Sequence, residues 1–204
     1  MKKTIVIILT FISTFSFSQT IKITQTYGST NPEIQELMDF QKIYVEKFNF
    51  EYEKLSGKHW EINVSEFVDG KLKNKTQLGS TSEADFLKIR FSPFSLKLLS
   101  QIRNGNFTIS ANFYNFHTKT LHFKLSEKSD EDDYVVKDFF GAKIVNEYNF
   151  GDEFPLVAII TPTIHDDGSA SYCEVVQSDI KPENLGSHFK IPHYFLITMK
   201  LKDK

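Results

Sequence analysis

The sequence predicts a mainly β fold, an antiparallel two-sheet β-sandwich with one amphipathic helix near the mature N-terminus. Three observations carry that prediction. About eight to ten apolar runs of strand length recur along the chain, joined by turns rich in Gly, Asn and Asp. A helix-opening signature stands out at Asn31-Pro32-Glu33. The run 156–160 is apolar on both faces, as a strand covered from two sides must be. Short strands of this kind are what two sheets packed face to face produce, and a partly open barrel is the alternative closure.

Residues 1–18 read as a cleaved signal peptide. Lys2 and Lys3 precede the apolar run 5–12, and Ser16 and Ser18 stand third and first before Gln19. A bilayer-spanning helix needs about 20 mainly apolar residues, roughly twice this run, so no stable membrane anchor is expected. The remaining 19–204 reads as a single domain, long enough to bury a core without crosslinks. The chain has one cysteine, Cys173, which cannot form an internal disulfide and reads as a small apolar side chain in a strand.

After a short alternating start at Ile21 and Ile23, Asn31 offers a capping side chain, Pro32 suits the first helical position and Glu33 puts an acid in the first turn. Ile34, Leu37, Met38, Tyr44, Val45 and Phe48 then fall on one stripe of a 3.6-residue helix, predicting a helix over about 31–50. From Trp60 the period changes to two, and Asp69-Gly70 marks a hairpin. Leu87, Ile89 and Phe91 alternate as a strand. The run 96–102 meets Phe107, Ile109, Ala111 and Phe113 across a second tight turn at Asn104-Gly105. Leu121, Phe123 and Leu125 follow, then an acidic loop over 126–133 and further strands over 134–140, 155–164, 170–177 and 189–201. The run 156–160 is expected to lie centrally, with the Asn31 helix as the candidate cover. Pro192 argues that the last strand begins on an edge or carries a bulge, since proline cannot donate to a ladder.

Charge excludes one class of partner. The chain has 24 basic and 26 acidic residues, and loss of Lys2 and Lys3 leaves 22 against 26. With neither a basic stripe nor a high isoelectric point, nucleic acid is not an expected partner.

No motif names a chemistry. The six histidines, His59, His117, His122, His165, His188 and His193, form no zinc-ligand spacing. His165, Asp166 and Asp167 are the best local donors for a metal, but Asp-Asp-Gly is also ordinary turn sequence. The acids 130–133 lack the glycine and the terminal glutamate of an EF-hand loop. There is no nucleophile elbow and no glycine-rich phosphate loop, and no cofactor is implied.

Aromatics are the unusual feature, with 20 Phe, 8 Tyr and one Trp making 14% of the chain. Phe50, Tyr52, Phe94, Tyr114, Phe116, Phe139, Phe140, Tyr148, Phe150, Tyr194 and Phe195 cannot all fit one inward face, so some are expected at edges or on loops. Exposed aromatics concentrate at binding surfaces. Tyr148 with Phe150, and His193 with Tyr194 and Phe195, are the expected binding residues. The leading expectation is an exported, non-catalytic binding or interaction module of the bacterial envelope, periplasmic or secreted. It would engage an envelope protein or glycan through its loops or an aromatic surface. The alternatives are an exported hydrolase using His165 or His193 with an Asp, and a carrier of an apolar ligand with an aromatic cavity of at least about 300 Å³.

Overall fold

The computed structural model describes residues 20–165, 167–172 and 179–203. In chain order they form β1 (Thr20–Tyr27), α1 (Pro32–Phe40), β2 (Ile43–Glu51), β3 (His59–Val68), β4 (Lys71–Ser80), β5 (Phe94–Arg103), β6 (Asn106–Phe113), β7 (Phe116–His117) and β8 (Leu121–Lys124). Then come β9 (Val135–Asp138), β10 (Val145–Asn149), β11 (Glu153–Ile160), β12 (Thr163–Ile164), β13 (Ala170–Ser171), α2 (Leu185–His188) and β14 (His193–Lys202). The first sheet has the order β10-β1-β2-β5-β6, with β7 and β8 each paired to the far side of β6; the second is β4-β3-β14-β11-β9. All pairings are antiparallel, and β12 and β13 form a separate small hairpin.

The turns at Asp69-Gly70 and Asn104-Gly105 form where the sequence places them. All four residues have positive φ, which glycine accepts freely and Asn and Asp accept at modest cost. With the turns set, the alternation in β5 and β6 sends Phe94, Leu96, Leu98, Phe107, Ile109, Ala111 and Phe113 to one face. Phe48 and Phe50 of β2 join them there. The second sheet answers with Trp60, Ile62, Phe154, Phe195, Ile197 and Met199. Rings meet across the gap: Trp60 with Phe113 at 4.6 Å, Phe107 with Phe195 at 4.9 Å, and Phe50 with Phe154 at 6.3 Å between centroids. The two sheets are therefore a sandwich in contact, as expected of this pattern.

A second, smaller cluster lies on the outer face of the second sheet. Phe67, Ala158, Ile160, Tyr194 and Leu196 are covered there by Leu185 and Ile191 of the segment 182–191. Gly186 makes the close approach possible, since a Cβ on it would sit 2.7 Å from Tyr194 Cε1 and 3.0 Å from Gly70 Cα. The strand β11 is covered on both faces as expected. The cover is this segment, however, and not the Asn31 helix.

Three further expectations are corrected. The helix over 31–50 does not form as such: Asn31 caps α1 through its side-chain oxygen, but α1 stops at Phe40 and Lys42 turns the chain at φ 50°. Residues 43–51 are instead β2, because their β-branched and aromatic residues bury Phe48 and Phe50 by period two. The helix buries none of its residues, leaving Leu37 61% and Phe40 80% exposed. Residues 87–91 make no strand. Ile89 pairs its backbone with residues 57 and 58, and the N–H groups of Arg90 and Phe91 both donate to the Tyr114 hydroxyl. The last strand is not at an edge: β14 lies between β3 and β11, and Pro192 precedes its first residue. Of the strand expected over 170–177, Ala170–Ser171 is observed; residues 173–178, with Cys173, lie outside the described residues, as do residues 1–19, which include the expected signal peptide.

Candidate functional site

Burial takes three of the five expected binding residues away from the surface. His193, Tyr194 and Phe195 are buried in the central strand β14, so this triplet is no aromatic surface. Strand alternation sends His193 and Phe195 into the sandwich and Tyr194 to the opposite cluster, where it stacks on Phe67 at 4.5 Å and donates to the Glu183 carbonyl at 3.0 Å. Tyr148 is half-buried and stacks on Phe154 at 4.9 Å. Phe150 stacks on Tyr52 at 5.3 Å with the Lys58 ammonium 5.4 Å from its centroid. Tyr52, Tyr148 and Phe150 pack, partly buried, against the main core.

The metal candidates are engaged locally. His165 Nε2 lies 2.9 Å from Ser171 Oγ, and Asp167 accepts from both the backbone and the hydroxyl of Ser169. Asp166 lies outside the described residues. Among the described residues no three His, Cys, Asp or Glu side chains gather as a metal site.

His193 does meet a carboxylate, but in the core. Its Nδ1 is 2.6 Å from the Tyr134 hydroxyl and its Nε2 is 3.2 Å from Glu66 Oε1, which also receives the Lys73 ammonium at 2.9 Å. A carboxylate only accepts, so Nε2 carries the proton toward Glu66 and the Tyr134 hydroxyl donates to Nδ1. Burial lowers the His193 pKa, and the Glu66 carboxylate offsets part of that shift. Burial likewise raises Tyr134. With both nitrogens committed and solvent excluded, the imidazole ties β14 to β3 and to the segment preceding β9. It offers no substrate a base.

Three exposed rings, Phe86, Phe91 and Tyr114, gather elsewhere, at one end of the first sheet. Tyr114 sits in the turn between β6 and β7 at φ 50°, a left-handed conformation that a bulky aromatic residue rarely adopts. Such a placement costs on the order of 1–3 kcal/mol and persists where neighbouring structure enforces it. Here the Tyr114 hydroxyl accepts the N–H of Arg90 at 3.0 Å, which locks the loop 90–93 against the turn. Phe91 is thereby held edge-on to Tyr114 at 6.1 Å, and the two rings are 66% and 39% exposed. Between them and the sheet runs a groove of about 360 Å³, whose polar lining is Ser95, Lys97, Asn112 and His117.

A second hollow of about 280 Å³ adjoins it, sharing Phe113 and His117 as a common wall. Its apolar side holds Phe86, 58% exposed and 5.5 Å from Phe116, and its floor is Trp60. Gly79 leaves this hollow open, because a Cβ there would approach Thr118 Cγ2 to 2.8 Å and the Trp60 ring to 3.3 Å. His117 Nδ1 is 2.8 Å from Asn112 Oδ1, which commits that oxygen and leaves the Asn112 NH2 as a donor.

The sequence pattern marked Tyr114 and Phe116 as misfits to an inward face, and both line these hollows. It missed Phe91, whose alternation with Ile89 imitates a strand, and Phe86. Lys97, Asn112 and His117 carried no signal, because polar residues on an outward strand face are ordinary.

No protein-family model matches the chain, and neither a curated protein nor a solved structure does.

Proposed function

We propose that the protein is an exported, non-catalytic binding module of the bacterial envelope whose ligand-contacting surface is the paired groove around Phe91, Tyr114 and Phe86. The leader-like residues 1–18 support export. Among the described residues no helix is long and apolar enough to cross a membrane. The observation that carries the binding reading is Tyr114. A strained backbone residue whose hydroxyl fixes the adjacent loop keeps two rings facing solvent, and exposed rings held rigidly contribute contact area at little entropic cost.

The reading favours a glycan over a protein strand. The groove floor is the face of β5 and β6, whose backbones are already paired to each other, so a peptide cannot extend the sheet there. Rings alternating with single polar groups suit sugar residues, which carry C–H faces and hydroxyl edges.

The test is direct. Isolated peptidoglycan sacculi and a panel of soluble polysaccharides are mixed with the protein, and binding is read by sedimentation and by fluorescence of Trp60, the single tryptophan, which floors the second hollow. At least one glycan is expected to bind and to shift the Trp60 emission. The double variant Phe91→Ala/Tyr114→Ala is expected to weaken binding at least tenfold. A panel without a binder, or equal binding by the double variant, overturns the proposal.

A further inference from the structure

We infer that the groove selects an acidic sugar, one carrying a carboxylate or sulfate at its ring edge; this rests on the binding reading above. The register of the first sheet points to it. One transverse row on its outer face reads Thr26, Lys47, Lys97, Asn112, His117, each residue paired directly with the next across β1, β2, β5, β6 and β7. The row contains two cations and three neutral residues, and no acid. Lys47 and Lys97 stand directly opposite each other, an arrangement that destabilises a sheet when the charges are alike. Lys47 leans away to donate to the Gly28 carbonyl at 3.0 Å, whereas Lys97 makes no ion pair among the described residues.

Lys97 is also the cation that lines the groove, with Asn112 as its cross-strand partner. An ammonium and an amide NH2 side by side form a two-donor receptor for one anionic group, and hydrogen bonds to a charged acceptor are about twice as strong as neutral ones. Phe91 and Tyr114 would take the apolar face of the same sugar ring while its anion lies on Lys97 and Asn112. The adjoining hollow at Phe86 and Phe116 provides room for a neighbouring residue of the chain. Charge and ring recognition thus converge on one ligand class, and the anion would relieve the repulsion between the opposed lysines.

The experiment compares an oligogalacturonate with its methyl ester, which differs in the loss of charge, and a sulfated oligosaccharide with its unsulfated parent. Titrations are followed by calorimetry at low and moderate salt. A tenfold or greater preference for one of the anionic members, weakening as salt rises, is expected; which pair shows it identifies the carboxylate or the sulfate. Lys97→Gln is expected to lower the affinity for the preferred anion at least tenfold. Because Lys97 is exposed and opposes a like charge, the variant should keep or slightly raise the parent melting temperature, which is measured alongside. Equal binding of charged and neutral members, or a Lys97→Gln variant that retains the preference, overturns the acidic-sugar inference while the glycan-binding reading stands. Failure of every glycan in both panels overturns both.

Discussion

Phe195 is the residue on which surface and core readings differ most, and its truncation decides between them. It sits fully buried on the central strand, with Phe107 at 4.9 Å, Phe123 at 5.2 Å and the His193 ring at 4.8 Å. Removing a buried phenylalanine ring to alanine costs about 3–5 kcal/mol, from lost transfer energy and the cavity left behind. The two phenylalanine neighbours each forfeit a ring pair worth about 0.5–1.5 kcal/mol beyond area. Phe195→Ala is therefore expected at the upper end, about 4–5 kcal/mol. For a domain of this size that shifts the melting temperature by roughly 8–20 °C. Phe195→Leu, which keeps most of the volume, should lose only about 1–1.5 kcal/mol. Urea unfolding followed by circular dichroism gives both values, provided the slope with urea stays constant. A loss below about 1.5 kcal/mol for the alanine variant would refute the packing of the two sheets through this ring.

The remaining predictions concern backbone, cap and charge. Gly186→Ala is expected to destabilise by about 1–3 kcal/mol, because the new methyl meets Tyr194 and Gly70; were the space free, helix propensity would make it stabilising. Asn31→Ala removes the two N–H contacts at 3.0 and 3.3 Å, yet α1 buries nothing, so faster amide exchange confined to residues 32–40 is expected with little change in global midpoint. His193 has a folded pKa below its ordinary 6.5, so the unfolded chain binds protons first; its stability contribution is complete above about pH 6.5 and is lost as pH falls through the folded value. Glu46, raised by burial, acts in the opposite sense near its own range, so unfolding at pH 7.5 and 5.5 is best compared in a Glu46→Gln background. Equal stability at the two pH values there would contradict the buried His193 network.

How much of this was legible depends on how local each determinant is. The hairpins at Asp69-Gly70 and Asn104-Gly105 were readable because a tight turn is decided by the φ its own two residues tolerate. The segment 41–50 was not, because Tyr44, Val45 and Phe48 satisfy a helical stripe as well as a strand, and the turn at Lys42 leaves no compositional mark. The aromatic groove was half legible: Tyr114 and Phe116 broke the inward pattern, while Phe91 obeyed it and still faces solvent.

Local chemistry, then, is what the amino-acid order alone determined: the β class, the turn positions, the Asn31 cap and the leader-like pattern of the start. Tertiary structure decided which strand is central, that residues 182–191 rather than the Asn31 helix cover β11, and that His193, Tyr194 and Phe195 are interior. It also brought Lys97 opposite Asn112 and tied residue 90 to the Tyr114 hydroxyl. The physical reason is that strand order and ring exposure depend on partners tens of residues away, whose pairing is fixed by the summed burial of both sheets and leaves no signature in any one segment.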